Sequence, residues 1–452
     1  MPQPTLRRQI LQLAVPAFGA LIAEPLFLLA DSAIVGHLGV DQLAGVGLAS
    51  TVLQTAVGLL VFLAYSTTPA VARLVGAGRK GDALAVGRDG LWLAGLLGVV
   101  LAAAGFVFAA PVLGLLGAGD RVLGFAVEYL RFSMPGLPAM LMILAATGVL
   151  RGLQDTRTPL LVAGVGFTAN IALNAVLVYG LRLSVAGSAL GTSIAQCGMA
   201  AVYLVIVVRA ARREGVGLRP DWAGIHEVSK VGSWLMLRTL SLRVAIFATV
   251  LVATAQGPVN LAAHQLAMTI FNFLAFALDA LAIAAQALVG KELGAANPAA
   301  VRALTRTMMR WGLLLGLGTG VLLLAAARGI GWIFTPDPAV HAALATALLV
   351  LAIGQPAAGY VFVLDGVLIG AGDARYLALA GVVNLLVYLP LLAWVAASRP
   401  EGNAGLFWLW AAFGVGYMLA RALTLGVRAR SDRWLLTGAR RGSGGIGAGT
   451  KL

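Results

Sequence analysis

Charged residues are scarce in this chain of 452 residues. Only 11% of the residues are charged and 60% are hydrophobic, whereas an ordinary soluble domain is about 25% charged. Apolar stretches of about 20 residues recur along the whole length, and a helix of that length crosses a hydrocarbon core of about 30 Å. The composition therefore excludes a soluble protein and predicts that the bilayer is the solvent for most of the chain.

Cysteine and histidine are also rare. The single Cys197 cannot form an intramolecular disulfide, and the four histidines are scattered, so no cysteine or histidine spacing typical of a metal site exists. The glycine-rich segment 76–80 lacks the spacing of a phosphate-binding loop. We therefore predict that the protein is neither an enzyme nor a cofactor protein; a membrane-embedded enzyme or a channel stays open as an alternative from hydropathy alone.

The fold class that these runs predict is all-α, because a strand of a membrane barrel would alternate in polarity over about 10 residues. Twelve transmembrane spans are predicted, at residues 10–36, 45–72, 88–111, 125–150, 158–180, 185–209, 228–254, 261–289, 305–327, 342–370, 376–397 and 404–428. The longest polar interval separates six spans from six. It divides the chain into an N-lobe (1–209), a cytoplasmic linker (210–230), a C-lobe (231–430) and a disordered cytoplasmic tail (431–452).

The two halves repeat. With a constant shift of 218 residues, four short patterns coincide without a gap: 43–49 with 261–267, 76–77 with 294–295, 136–139 with 354–357, and 150–155 with 368–373. An even number of spans in each repeat gives both halves the same orientation, so we expect two six-helix lobes related by a pseudo-twofold axis along the membrane normal.

The distribution of the basic residues indicates the membrane topology rather than nucleic-acid binding. Despite a formal net charge of +14, they lie in short loops, and 24 of the 32 Lys and Arg fall on one side if both termini are cytoplasmic. This asymmetry follows the positive-inside rule. We expect a multi-pass protein in the plasma membrane of a bacterium, with the lipid bilayer as a partner, no nucleic-acid partner, and a monomeric state.

Two carboxylates lie in span 1. Glu24 and Asp31 are seven residues apart and share one face of the helix, and Pro25 between them should bend the helix. Charged groups inside a span are costly, by about 2.5 to 3.5 kcal/mol, and often mark a functional site. Asp31 is our candidate for a group that alternately binds and releases a proton or cation; a buried carboxyl that serves packing is the alternative.

Polar stripes follow in spans 5 and 6. Asn170 and Asn174 are four residues apart, as are Thr192 and Gln196, so each pair lies on one helix face. Their oxygen atoms can coordinate Na⁺ or relay a proton, and equally they can join helices by hydrogen bonds.

The second half carries Asp279, Asp365, Arg238 and Arg243 inside its spans. With Glu24 and Gln196, the first three are candidates for a substrate cavity or a second cation site. A structural ion pair between an arginine of span 7 and one of these aspartates is the competing interpretation.

Several local motifs complete a family pattern. They are Asp31-Ser32 leading to Gly36-His37-Leu38-Gly39, the segments 74–78 and 293–297 after spans 2 and 8, and Arg151-Gly152 leading to Thr158-Pro159. With the layout of six plus six spans, the chain resembles the multidrug and toxic compound extrusion (MATE) family of antiporters, most closely its DinF-like branch, over residues 8 to 430.

The resemblance implies export of a small organic compound, often cationic or amphipathic, in exchange for H⁺ or Na⁺, by alternating access of two lobes and without a cofactor. It also implies a cation site at Asp31, Asn170, Asn174 and Thr192. The family's aspartate at the third of these positions is asparagine here, which removes a negative charge and favours H⁺ over Na⁺. Asp365 resembles an aspartate that another branch uses, but the acidic partner expected in span 7 is absent.

A flippase for lipid-linked precursors is the alternative within transport, because exporters of related architecture move such substrates. A cavity lined by several arginines would favour that function, and the candidates for such a lining within the spans are Arg238 and Arg243.

Overall fold

The computed structural model describes residues 6–117, 119–398, 400 and 402–438, and these residues form helices joined by short turns, with no β-strand among them. Twelve of the helices are long and apolar enough to cross a membrane. We number them α1 (Leu6–Gly36), α2 (Val40–Gly76), α3 (Lys80–Gly114), α4 (Asp120–Gly152), α5 (Arg157–Gly180), α6 (Ser184–Arg213), α7 (Trp222–Ala255), α8 (Pro258–Gly294), α9 (Pro298–Ala326), α10 (Pro338–Gly370), α11 (Ala374–Ser398) and α12 (Asn403–Arg430). The predicted all-α class and the number of spans are confirmed.

Most helices run past the apolar stretches that predicted them. For α3 the apolar run predicts a start at residue 88, whereas the helix begins at Lys80. A helix satisfies its backbone hydrogen bonds internally, so its polar ends can continue beyond the hydrocarbon core. The linker between α6 and α7 is accordingly shorter than its polar sequence suggests and leaves the helical state only over 214–221.

Four of the long helices contain an irregular segment. A short break at Leu60 and Val61 interrupts α2, and a 3₁₀ turn at Met134–Gly136 lies within α4. The last five residues of α5, Val176–Gly180, and the middle of α12, Ala411–Tyr417, are π-helical. Such segments often occur near functional sites, and the one in α5 begins two residues after Asn174.

The contacts divide the chain into two compact units. One comprises Val15–Gly232, and the other comprises Ser233–Gly438 with the start of α1 up to Ala14. In the first unit the most buried long helix is α4, with 61% of its apolar window buried, and in the second it is α10, with 67%. These two helices correspond to each other under the shift of 218 residues, so the repeat places the same element at the centre of each unit.

The chain after α12 packs against the second unit. A 3₁₀ turn covers Asp432–Trp434, Trp434 is only 3% exposed, and the backbone N–H of Gly438 donates to the carbonyl of Leu293. Where the sequence predicts a disordered tail from residue 431, the structure holds the chain in place as far as Gly438, because the indole of Trp434 buries apolar surface there. Residues 439–452 lie outside the described residues.

Candidate functional site

Asp31 is buried inside the first unit. Its side chain is 4% exposed, although it belongs to a membrane-spanning helix. The amide nitrogen Nδ2 of Asn174 in α5 donates to Oδ1 of Asp31 over 2.7 Å, and the hydroxyl of Ser188 in α6 donates to the same oxygen over 2.6 Å. Helices α1, α5 and α6 therefore meet at one carboxylate, and two donors stabilise its charged form.

Tyr129 of α4 closes the site from another side. Its phenol lies next to Asp31 and to the hydroxyls of Ser50, Ser133 and Ser188, and its side chain is 4% exposed. Sequence reasoning missed both Ser188 and Tyr129. Ser188 carried a detectable signal, because it lies four residues before Thr192 and extends the polar stripe of α6 by one turn.

A close approach of two helices positions Asn174. A Cβ atom added to Gly191 of α6 would collide with Oδ1 of Asn174. Since glycine has no Cβ, α6 can lie against α5 at this level, and the asparagine side chain occupies the space above the glycine.

Several buried polar atoms of this unit lack a hydrogen-bond partner among the described residues. They are both side-chain polar atoms of Asn170, Oδ1 of Asn174 and Oγ1 of Thr192, while the neighbouring Gln196 is 8% exposed. An unsatisfied buried polar group costs about 1–3 kcal/mol, so such groups usually serve a water, an ion or a substrate. The three oxygen atoms among them are of the type that Na⁺ or a proton relay would use.

The aspartate of α10 is paired. Arg238 of α7 binds Asp365 with two hydrogen bonds, one of 3.0 Å from Nε to Oδ1 and a second from Nη2 to Oδ2, and Arg421 of α12 lies 3.5 Å from the same carboxylate. The partly buried Asp279 of α8 is close to Arg421. The structure thus brings Asp279, Asp365 and Arg238 together as an ion-pair network within the second unit.

This network is charge-balanced by protein side chains. A buried carboxylate with two arginine partners has its charge compensated without a bound cation. Asp365 therefore differs from Asp31, whose described partners are neutral, and a second cation site at Asp365 would require Arg238 to leave it. The pair also neutralises Arg238, which weakens the basis of the lipid-linked flippase alternative.

Among the residues that the structure describes, no group of three or more His, Cys, Asp or Glu side chains is suited to hold a metal ion. The polar atoms around Asp31 come instead from amides and hydroxyls. Twelve membrane-spanning helices with a polar site buried at a carboxylate define a polytopic membrane protein of the kind that moves solutes.

The family follows from sequence comparison. The model of the MatE family matches residues 16–176 and 236–394, once in each half of the chain, and this protein belongs to that family of membrane transporters. The paired match agrees with the internal repeat of 218 residues.

The relatives span bacteria and plants. The DNA damage-inducible protein F of Escherichia coli K12 is 30% identical, with 84% of this chain and 85% of that protein covered. The protein DETOXIFICATION 43 of Arabidopsis thaliana is 27% identical over 93% of this chain and 90% of its own length. A probable multidrug resistance protein NorM of Thermotoga maritima is 25% identical over 75% and 74%. The predicted resemblance to the family that includes DinF is confirmed.

Solved structures show the same fold. The bent form of the Vibrio cholerae MATE transporter VcmN superposes with a TM-score of 0.86 at 23% identity and covers 95% of this chain and 98% of its own. A MOP superfamily transporter from Pyrococcus furiosus superposes with a TM-score of 0.82 at 21% identity over 95% and 96%.

Proposed function

We propose that this protein exports organic, often cationic or amphipathic, compounds in exchange for inward-moving H⁺ by alternating access. The observation that carries the proposal is the buried carboxylate of Asp31, held by Asn174 and Ser188 inside a membrane span. Membership of the MatE family and the similarity to multidrug resistance proteins support the efflux function.

The neutral side chain at position 174 supports H⁺ as the coupling ion. A single carboxylate can take up one proton and become neutral, whereas a tightly bound Na⁺ favours more negative charge among its oxygen ligands. Na⁺ is the second candidate, because Oδ1 of Asn170, Oδ1 of Asn174 and Oγ1 of Thr192 have no described hydrogen-bond partner and could complete a cation site with Asp31.

Coupling requires different ion affinities in the two conformations of the transporter. Protonation removes the charge of Asp31, and the hydrogen bonds from Asn174 and Ser188 then lose their charged acceptor. Such a change favours a different arrangement of α1 against α5 and α6. The bends expected at Pro16 and Pro25, both inside α1, make this helix the moving element of the proposal.

The test is transport in liposomes with Asp31→Asn beside the parent protein. Efflux of a fluorescent organic cation is followed under an imposed proton gradient and, separately, under a sodium gradient. We expect the proton gradient to drive efflux in the parent, and the variant to lose at least about 90% of it, because asparagine cannot take up the proton. Ser32→Ala, one residue further along the helix, serves as the control.

Three outcomes would change the proposal. Full proton-driven efflux by Asp31→Asn would exclude Asp31 as the coupling group. Efflux driven by sodium alone would assign the site to Na⁺. If both gradients fail to move any of several cations while Asp31-dependent proton uptake persists, the substrate class is wrong and the coupling site stands.

A further inference from the structure

Helix α1 has a clearly outward side. Its large apolar residues Val15, Leu26 and Leu29 are 62%, 59% and 68% exposed. In a membrane-spanning helix an exposed stripe of this kind is the surface that lipid covers. Glu24 does not belong to this stripe.

Glu24 lies on the opposite, protein-facing side of α1. Ala17 and Asp31 are each seven residues away, which is two helical turns, so the three side chains project on the same side. Ala17 is 2% exposed, Phe27 on the adjoining face is 6% exposed, and Asp31 is 4% exposed. Glu24 in their midst is nevertheless exposed to solvent. Water-accessible space therefore reaches the inner face of α1 within the span.

The carboxylate of Glu24 has no hydrogen-bond or ion-pair partner among the described residues. Its side chain is open to solvent on the inner face of α1. Asp31, by contrast, is sealed from solvent, and its Oδ1 already accepts two hydrogen bonds. The two carboxylates of α1 thus have opposite surroundings, although the sequence places them on one face.

An unpaired carboxylate in a water-accessible recess with low-dielectric walls creates a negative potential that attracts cations. Its position on the inner face excludes relief by lipid headgroups, and no described protein cation compensates it. A positively charged molecule entering the water-accessible space would do so.

We propose that Glu24 is the residue that recognises the positive charge of the transported compound, and that Asp31 does not contact it. The inference rests on the proposed efflux function and deepens it, because it assigns substrate charge and coupling ion to different carboxylates. A substrate at Glu24 and a proton at Asp31 then influence each other through α1, two turns apart, rather than by direct competition for one group.

The test uses two probes of the same shape and opposite charge, the tetraphenylphosphonium cation and the tetraphenylborate anion. Equilibrium binding of each is measured on the purified full chain in uncharged detergent. The variants are Glu24→Gln, Glu24→Asp, Asp31→Asn and, as the matched control for loss of one exposed negative charge, Asp120→Asn at the start of α4.

We expect Glu24→Gln to weaken binding of the cation about tenfold, equivalent to about 1.4 kcal/mol, without weakening binding of the anion. Glu24→Asp should keep most of the affinity for the cation, and Asp120→Asn should change it less than about threefold, because neither removes the recognising charge. Asp31→Asn imitates the protonated coupling site, so we expect it to change the affinities for the cation and the anion by a similar factor, since it removes no charge that contacts the probe.

Equal losses for both probes in Glu24→Gln would indicate a change of cavity shape and would overturn the proposal, as would an unchanged affinity for the cation. A large loss in Asp31→Asn that is confined to the cation would place charge recognition at the coupling residue instead. If the parent binds neither probe but still takes up protons through Asp31, the role of Glu24 is refuted while the coupling part of the proposed function survives.

Discussion

The polar site of the first unit combines one carboxylate, that of Asp31, with a neutral amide at position 174. Asn174 presents its amide nitrogen to Asp31, and its own oxygen has no described hydrogen-bond partner. An aspartate at position 174 would place a second carboxylate at hydrogen-bond distance from the first. Two such charges repel by up to about 4 kcal/mol at 4 Å and an effective dielectric constant of 20, and a bound cation would relieve that repulsion.

We therefore predict that Asn174→Asp lowers thermal stability in sodium-free buffer and that added Na⁺ restores it, whereas the parent responds little to Na⁺. The measurement is the apparent Tm of the purified protein in NaCl and in choline chloride at equal ionic strength. Asn170→Asp, one turn earlier in α5, is the comparison that tests whether the position next to Asp31 matters. A variant that is equally stable in both salts would show that the site takes up a proton in place of the metal ion.

Residues of the site were predictable to different degrees. Asp31 and Asn174 were predicted because charged and amide groups are conspicuous inside apolar spans. Ser188 was not predicted because serine is common in membrane helices and its insertion into a span costs little free energy. Tyr129 gave no signal, since a tyrosine is amphipathic and compatible with any level of a span.

Packing between α9 and α10 relies on small residues. Gly312, Gly316 and Gly320 recur every fourth residue and line one face of α9. A Cβ added to Gly316 would lie 2.9 Å from Cα of Pro356 in α10 and would also collide with the carbonyl oxygen of Gln355. Membrane helices have little hydrophobic drive to associate, so close backbone contact through glycines supplies much of their attraction.

Gly316→Ala should lower the free energy of unfolding by about 1–3 kcal/mol, because the added methyl group forces the two backbones apart. Gly318 lies on the same helix with open space around the position of its Cβ. Gly318→Ala should therefore leave stability unchanged or raise it by up to about 1 kcal/mol through helix propensity. Thermal or denaturant unfolding in detergent micelles measures both, and equal effects at the two positions would refute the packing argument.

We predict from the charges of the loops that both termini of the molecule are cytoplasmic. Cys197 can be replaced by alanine, which leaves a chain without cysteine. Single cysteines are then introduced at Arg182 between α5 and α6 and at Gly215 between α6 and α7. A membrane-impermeant maleimide applied to intact cells should label the first and not the second. The positive-inside rule places the segment 209–230, which carries five Lys and Arg residues, in the cytoplasm. Labelling of Gly215→Cys in intact cells would show that the protein has the opposite orientation in the membrane.

The sequence by itself determined the class of the molecule. Long apolar runs leave helices as the only spanning structure, because each backbone N–H and C=O must be satisfied without water. The helix count, the repeat and the family pattern follow from local sequence. The sequence did not determine the helix ends, as at Lys80 in α3, because a helix needs no apolar residue to continue into water.

Only the tertiary structure decided which polar groups meet. Glu24 and Asp31 share one helix face, yet one is open and unpaired while the other is sealed and hydrogen-bonded. Asp365 is conspicuous in the sequence, but its two arginines come from α7 and α12, far away along the chain. Helical periodicity fixes the side on which a residue projects, whereas its partners and its access to water depend on how separate helices pack.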